Sequence, residues 1–308
     1  MSDTTFAALG LSADLVAELG RQGIDAPFQI QERAVPAGLA GSDVLAKAPT
    51  GSGKTLAFAL PIVERVRADG GKPGALVLVP TRELCVQVTE VLETLARTRG
   101  LKVCSVYGGV PIRPQAEKAK HAHVLVATPG RLQDLIDRRL LTLDAVAILV
   151  LDEADRMLDM GFKPQVDRIV RRISSDRQTM FFSATLDGAV GELARAYTSV
   201  PIRIEAELPS ENRNGEIDHQ FLPVTPENKI EKLVELLEAE RGLALVFVRT
   251  KRGADRLAQR LARHDVNAVA MHGDKTQAHR EKALARFESG KVTTLIATDV
   301  AARGLDLS

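Results

Sequence analysis

Short aliphatic and β-branched runs recur along this chain, and between them apolar residues return at the three- and four-residue spacing of amphipathic helices. The pattern predicts strands at 43–48, 75–79, 103–107, 123–127, 146–151 and 179–183. Strand alternating with helix implies a parallel sheet covered on both faces, an α/β fold. Between 205 and 215 the period lapses into a polar segment carrying Pro209, Asn212 and Asn214, which reads as an interdomain linker. Beyond it the alternation resumes, with strands near 217–223, 243–248, 268–272 and 292–298 and helices near 227–240, 251–264 and 277–289. The expected organisation is a first domain over 1–205, a linker over 206–216 and a second domain over 217–308.

At 308 residues, 45% apolar and 26% charged, the chain is long enough for two soluble domains with separate cores. Its net charge is +1, and the halves on either side of Asn214 are each nearly neutral, so no bulk positive field marks a polyanion partner. Any nucleic-acid contact has to come from local loops. Cys85 and Cys104 fall in apolar helix and strand patterns, the setting of small buried thiols rather than of a disulfide or metal site. The first residues lack the regions of a signal peptide, and no apolar run approaches the roughly 20 residues of a membrane span. A cytoplasmic chain without membrane contact is expected.

Candidate chemistry lies where predicted strands end. The loop Ala48-Pro49-Thr50-Gly51-Ser52-Gly53-Lys54-Thr55 follows an apolar strand and opens a helix over 56–67. Backbone N–H groups of such a loop, added to a helix N-terminus, form an anion cradle for nucleotide phosphates. Lys54 would neutralise β and γ oxygens, and the Thr55 hydroxyl would ligate Mg²⁺. About a hundred residues on, Asp152-Glu153-Ala154-Asp155 leaves the apolar run 146–151. Two carboxylates at the end of a dry strand are costly unless they meet cations or donors. Asp152 is the natural outer partner for Mg²⁺, and Glu153 the group that orients or deprotonates an attacking water. Ser183-Ala184-Thr185 closes another apolar strand, and beside Asp155 its hydroxyls suggest a hydrogen-bonded relay.

Asp-Glu-Ala-Asp, Ala-x-Thr-Gly-Ser-Gly-Lys-Thr and Ser-Ala-Thr, in this chain's order, resemble the DEAD-box ATP-dependent RNA helicases of the second helicase superfamily. The resemblance covers nearly the whole chain and implies two RecA-like parallel-sheet domains in tandem, ATP and Mg²⁺ as cofactors, and RNA as partner. The segment from Gly23 to Gln31 resembles the family's adenine-reading motif, with Gln31 on the adenine edge and Phe6 stacked on its face. Thr50, Gly51, Ser52 and Gly53 complete the phosphate site. Pro80-Thr81-Arg82, Gly108-Gly109 and Thr128-Pro129-Gly130-Arg131 look like the family's RNA-contacting loops. In the second half Thr250, Gly273, Gln277, Arg280 and Thr298 would line the rest of the RNA track, Arg303 would reach the acidic box and Asp306 would hold the ribose. The family mechanism implied is closure on ATP and single-stranded RNA with local unwinding of short duplexes. A monomer is expected.

The family's next block, His-Arg-x-Gly-Arg-x-x-Arg, has no counterpart before Ser308. The expectation is a second domain incomplete at its C-terminus, with the strand over 292–298 at an open edge and hydrolysis impaired, because an arginine finger is worth about 10³ to 10⁵ in rate. Two other readings stay open: an ATP-responsive RNA clamp without productive unwinding, and a DNA-directed translocase on the same scaffold.

Overall fold

The computed structural model describes residues 4–206, 218, 220–239 and 242–298. The chain divides into two units, 1–214 and 215–308. Apart from Ala206, the expected linker 206–216 lies outside the described residues.

The first unit contains strands β1 (Val44–Lys47), β2 (Ala75–Leu78), β3 (Val103–Val106), β4 (Val124–Ala127), β5 (Ile148–Leu151), β6 (Gln178–Ser183) and β7 (Ile202–Glu205). Among the described residues they form one parallel sheet in the order β3-β4-β2-β5-β6-β1-β7. Helices α1 (Ala13–Arg21), α2 (Gln29–Leu39), α3 (Lys54–Arg65), α4 (Arg82–Ala96), α5 (Ile112–Lys120), α6 (Pro129–Asp137), α7 (Ala154–Asp159), α8 (Lys163–Val170) and α9 (Gly188–Tyr197) accompany it. Successive strand side chains point to opposite faces, and the core divides accordingly. Ala75, Val77, Val124, Val126, Ile148, Val150, Met180 and Phe182 enter one cluster, while Leu76, Leu78, Leu125, Leu149, Leu151 and Phe181 enter the other. Burial on both faces is why these strands read as unbroken apolar runs. Cys85 is fully buried, which pushes its thiol up to about 12. β7 was not anticipated: of Ile202, Arg203, Ile204 and Glu205 only Ile204 is buried, so this outer strand lacks the apolar run.

The second unit contains α10 (Lys229–Ala239), β8 (Ala244–Val248), α11 (Lys251–Ala262), β9 (Ala268–Met271), α12 (Gln277–Glu288) and β10 (Thr294–Thr298). Its described strands pair in parallel in the order β8-β10-β9. β10 is therefore central and buried along its length, and the expectation that it forms an open edge is corrected. The order repeats β3-β4-β2 of the first sheet: of three consecutive strands the third lies in the middle. The expected strand at 217–223 is not found; Asp218 and residues 220–225 carry no strand, while Ile217 and His219 lie outside the described residues. Of its described apolar residues Phe221 is 93% and Leu222 40% exposed, so neither is held as a core strand residue is. Among the described residues no helix is long and apolar enough to cross a membrane.

Candidate nucleotide and nucleic-acid site

Sheet order sorts the motifs. The phosphate loop, the acidic turn and Ser183 leave β1, β5 and β6, which are consecutive in the sheet as β5-β6-β1. The loops beginning at Pro80, Tyr107 and Thr128 leave β2, β3 and β4, consecutive as β3-β4-β2. In a parallel sheet all six loops emerge at the same carboxyl edge, where ligands of open α/β folds bind. Along the chain the second set is inserted whole between β1 and β5 of the first; the sheet separates the two into adjacent halves.

Gly53 precedes α3 with φ of +83°, and Gly51 has φ of +78°, left-handed conformations that suit glycine. Lys54, nearly buried, donates from Nζ to the carbonyls of Ala48 at 2.9 Å and Pro49 at 3.2 Å. Ser52 Oγ also donates to Pro49 O, at 2.7 Å, so the loop is tied into a closed turn while Thr50 and Gly51 stay exposed. Gln31 is buried with both ends of its amide engaged: Oε1 accepts from Phe28 N–H at 2.9 Å and Nε2 donates to Gly53 O at 3.0 Å. In this conformation Gln31 braces the phosphate loop from α2 rather than displaying a free amide edge. Phe6 is 2% exposed inside the core, so its ring anchors the chain ahead of α1 and offers no open face for stacking.

β5 delivers Asp152 and Glu153 into a dry turn, 3% and 7% exposed. Glu153 has φ of +52°, an uncommon conformation for a residue with a long side chain and a form of strain that clusters at functional sites. Burial pushes the Asp152 carboxyl up to about 6, against the pull of Lys54 and the Glu153 N–H that Asp152 Oδ1 accepts at 3.0 Å. Burial likewise raises Glu153, opposed by Arg156, whose guanidinium lies 3.3 Å from Glu153 Oε2 without hydrogen-bond geometry. No group of three or more His, Cys, Asp or Glu is placed to hold a metal among the described residues. The donors present, Thr55 Oγ1 and the Asp152 carboxylate, are hard oxygens, and a single carboxylate completed by phosphates and water is how Mg²⁺ is held. A buried carboxylate displaced by desolvation, and Glu153 Oε2 left without a hydrogen bond, fit a site completed by a cation and its ligands.

The link from the acidic box to β6 exists but runs through backbone. Fully buried Ser183 Oγ accepts from the N–H of Asp155 at 3.3 Å and of Thr185 at 3.4 Å. The Asp155 carboxylate instead accepts from Arg156 N–H at 3.0 Å, and Thr185 is exposed. The expected side-chain relay is corrected to a backbone brace, because the turn into α7 directs the amide, not the carboxylate, at Ser183.

On the other half of the edge, Pro80 and Thr81 are buried, and Thr81 caps α4 by accepting from Leu84 N–H at 3.2 Å. Arg82 lies over Gly108 and Gly109, where a Cβ on Gly109 would overlap the guanidinium. Thr128 and Pro129 begin α6 and are buried, whereas Gly130 is exposed. Arg131 is half-buried and donates to Gln115 Oε1 at 2.8 Å and Val110 O at 3.0 Å. Gln115 Nε2 donates in turn to Tyr107 O at 3.3 Å. Arg131 thus clamps the glycine loop. Gln115 escaped the sequence reading because nothing local marks an amide in α5 as a bridge between β3 and α6. Gln115→Ala is expected to lower the unfolding free energy by about 1 to 2 kcal/mol in urea titration, the cost of leaving buried partners unsatisfied; an unchanged midpoint would show that the clamp does not hold the loop.

In the second unit Thr250 caps α11, accepting from Gly253 N–H at 3.0 Å. Gly273 is exposed, Arg280 is buried and Thr298 is buried at the end of β10. Gln277 begins α12. His272 donates from Nε2 to Asp255 at 3.0 Å and accepts at Nδ1 from Asp274 N–H at 3.4 Å, which fixes the turn holding Gly273. Arg303 and Asp306 lie outside the described residues.

Residues 28–193 match the DEAD/DEAH box helicase family, and residues 228–308 match the helicase conserved C-terminal domain. The chain is 43% identical over 308 residues to the DEAD-box ATP-dependent RNA helicase CshA of Streptococcus pneumoniae serotype 4, covering 98% of this chain and 58% of that protein. It is 40% identical over 306 residues to CshA of Bacillus subtilis, covering 99% and 62%. Across the curated relatives it matches, the chain spans 58% to 66% of their length. Among solved structures, S. cerevisiae Dbp5 bound to RNA and ADP BeF3 is similar with a TM-score of 0.85 at 31% identity, covering 98% of this chain and 78% of that one. A DEAD box protein from Methanococcus jannaschii is similar with a TM-score of 0.64 at 38% identity, covering 99% and 82%.

Proposed function

This chain belongs to the DEAD/DEAH box helicase family, and we propose that it binds ATP with Mg²⁺ and single-stranded RNA and couples ATP hydrolysis to local separation of short RNA duplexes. The observation that supports this reading best is the sorting of the motifs by the sheet: phosphate loop, acidic turn and Ser183 on adjacent strands, with a second set of small-residue and arginine loops beside them. In the proposed mechanism the backbone of residues 50–54 cradles the phosphates, and Lys54 turns its ammonium to the β and γ oxygens. Thr55 and Asp152 hold Mg²⁺, which when bound draws charge from the transferring phosphoryl group. Glu153 orients the attacking water and takes its proton; burial raises its carboxyl and makes it a better base. The loops at Pro80, Gly108 and Thr128, with Thr250 and Gly273 in the second unit, contact phosphates and sugars, which recognises RNA without reading sequence.

Glu153→Gln tests the reading. Binding of an ATP analogue should persist while turnover falls at least about 100-fold, the usual scale for a positioned general base. Turnover equal to that of the parent chain would remove Glu153 from the chemistry, and failure of the parent chain to bind nucleotide would sink the reading as a whole.

A further inference from the structure

We propose that the exposed face of α11 is a second RNA-backbone site, one that takes up phosphates beyond those held by the loops; the inference rests on the RNA reading above. Near-neutral total charge conceals this surface. Residues 242–298 contain 11 Lys and Arg against 5 Asp and Glu, offset in the total mainly by residues 215–241, with 7 acidic and 3 basic. On α11 the excess is concentrated. Ala254, Leu257 and Leu261 form its buried face, and at 3.6 residues per turn Arg252, Arg256 and Arg260, with Arg263 at the C-cap, fall within about 80° of one another on the opposite side. All four are exposed, and none has a side-chain hydrogen bond or ion pair among the described residues. Asp255, the acid of this helix, lies off the stripe and is held by His272 at 3.0 Å and Lys275 at 2.8 Å.

An ordinary solvated helix mixes signs, as α10 does with Lys232 on Glu235 at 2.7 Å. Here like charges stand at four-residue spacing, which weakens a helix by about 0.2–0.5 kcal/mol per pair. Arg252 also sits in the first turn, against the positive end of the helix dipole. A polyanion offsets both penalties. The stripe begins two residues after Thr250, the capping residue placed on the proposed RNA track, and runs about 16 Å along the helix, with roughly 6 Å between neighbouring arginines. Planar guanidinium forks suit phosphate oxygens. A membrane surface suits the helix poorly, because its apolar face is already buried in the unit and none remains to enter lipid.

The test compares the 308-residue chain with a variant carrying R252Q, R256Q, R260Q and R263Q and a second carrying Lys at the same positions. Binding of a 6-nucleotide and a 30-nucleotide RNA is measured across salt, with Mg²⁺ and a non-hydrolysable ATP analogue. The Gln variant should bind the short RNA as the parent does but lose affinity for the long one. Its slope of log affinity against log salt should fall by roughly 3, since each phosphate contact on a single strand contributes about 0.7. The Lys variant should keep most of that slope. Equal binding of the long RNA by the parent and Gln variants overturns this inference and leaves the RNA reading standing; a parent that binds neither RNA overturns both. Stripe-dependent binding to phosphatidylserine vesicles without stripe-dependent RNA binding would assign the surface to lipid and also overturn it.

Discussion

Asp152→Asn is expected to stabilise the ligand-free chain at pH 7.5, raising the melting temperature of the first unit by roughly 3 to 6 °C, while removing the proposed Mg²⁺-dependent hydrolysis. Burial holds the folded-state carboxyl at about 6 against an ordinary value of 3.8. The folded state therefore binds this proton more tightly than the unfolded state does. Stability falls as pH rises between those two values, and above about 6 the whole penalty is present, roughly 3 kcal/mol. Asn keeps the oxygen that accepts from Glu153 N–H, but it buries an amide in place of the carboxylate, which returns about 1 kcal/mol or more. A net gain of about 1 to 2 kcal/mol remains, and each kcal/mol moves the melting temperature by about 2 to 4 °C in a unit of this size. Melting both proteins in EDTA at pH 7.5 and pH 4.5 checks the sign. The difference should shrink at the lower pH, where the parent carboxyl is largely protonated. An advantage that persists at pH 4.5, or none at pH 7.5, would show that desolvation of Asp152 is not what separates them. Such a gain is expected where a residue is kept for function at the expense of stability.

The strands that lead into the candidate site were legible because burial on both faces leaves continuous apolar runs, and 75–79 and 123–127 differ from the observed β2 and β4 by single residues. Edge and surface segments misled in both directions. Ile202 to Glu205 pairs with β1 although it is half polar, whereas 217–223 has apolar residues but no strand among the described ones. Apolar content reports what a segment can bury, not whether a neighbour is there to bury it. Site residues were legible where a loop follows a strand, since strand ends converge at one edge of a parallel sheet. Side-chain direction was not. Asp155 meets Ser183 through its amide, Arg131 turns back onto Gln115, and Phe6 faces the core, all decided by packing that no local pattern encodes.

The contact between Gln31 and Gly53 carries the second large effect. Gly53→Ala should destabilise the first unit by roughly 2 to 4 kcal/mol and weaken ATP-analogue binding at least about tenfold. A Cβ at φ of +83° is strained, by about 1 to 2 kcal/mol, and it would overlap Gln31 Nε2 and stand 2.6 Å from Phe28 Cδ2. Relieving that overlap moves either α2 or the phosphate loop, and over-packing of this kind costs about 1 to 3 kcal/mol. Gln31→Ala alone removes the acceptor for Phe28 N–H and the donor to Gly53 O, a loss of about 1 to 2 kcal/mol. In the double variant the shortened side chain leaves room for the new Cβ, so the two losses should sum to more than the loss measured, by about 1 kcal/mol or more. Phe28 still stands in the way, and recovery is therefore incomplete. Urea unfolding of the four proteins closes the cycle. Additive losses would mean that the loop yields without engaging Gln31, and the brace from α2 would then have no energetic hold on the phosphate site.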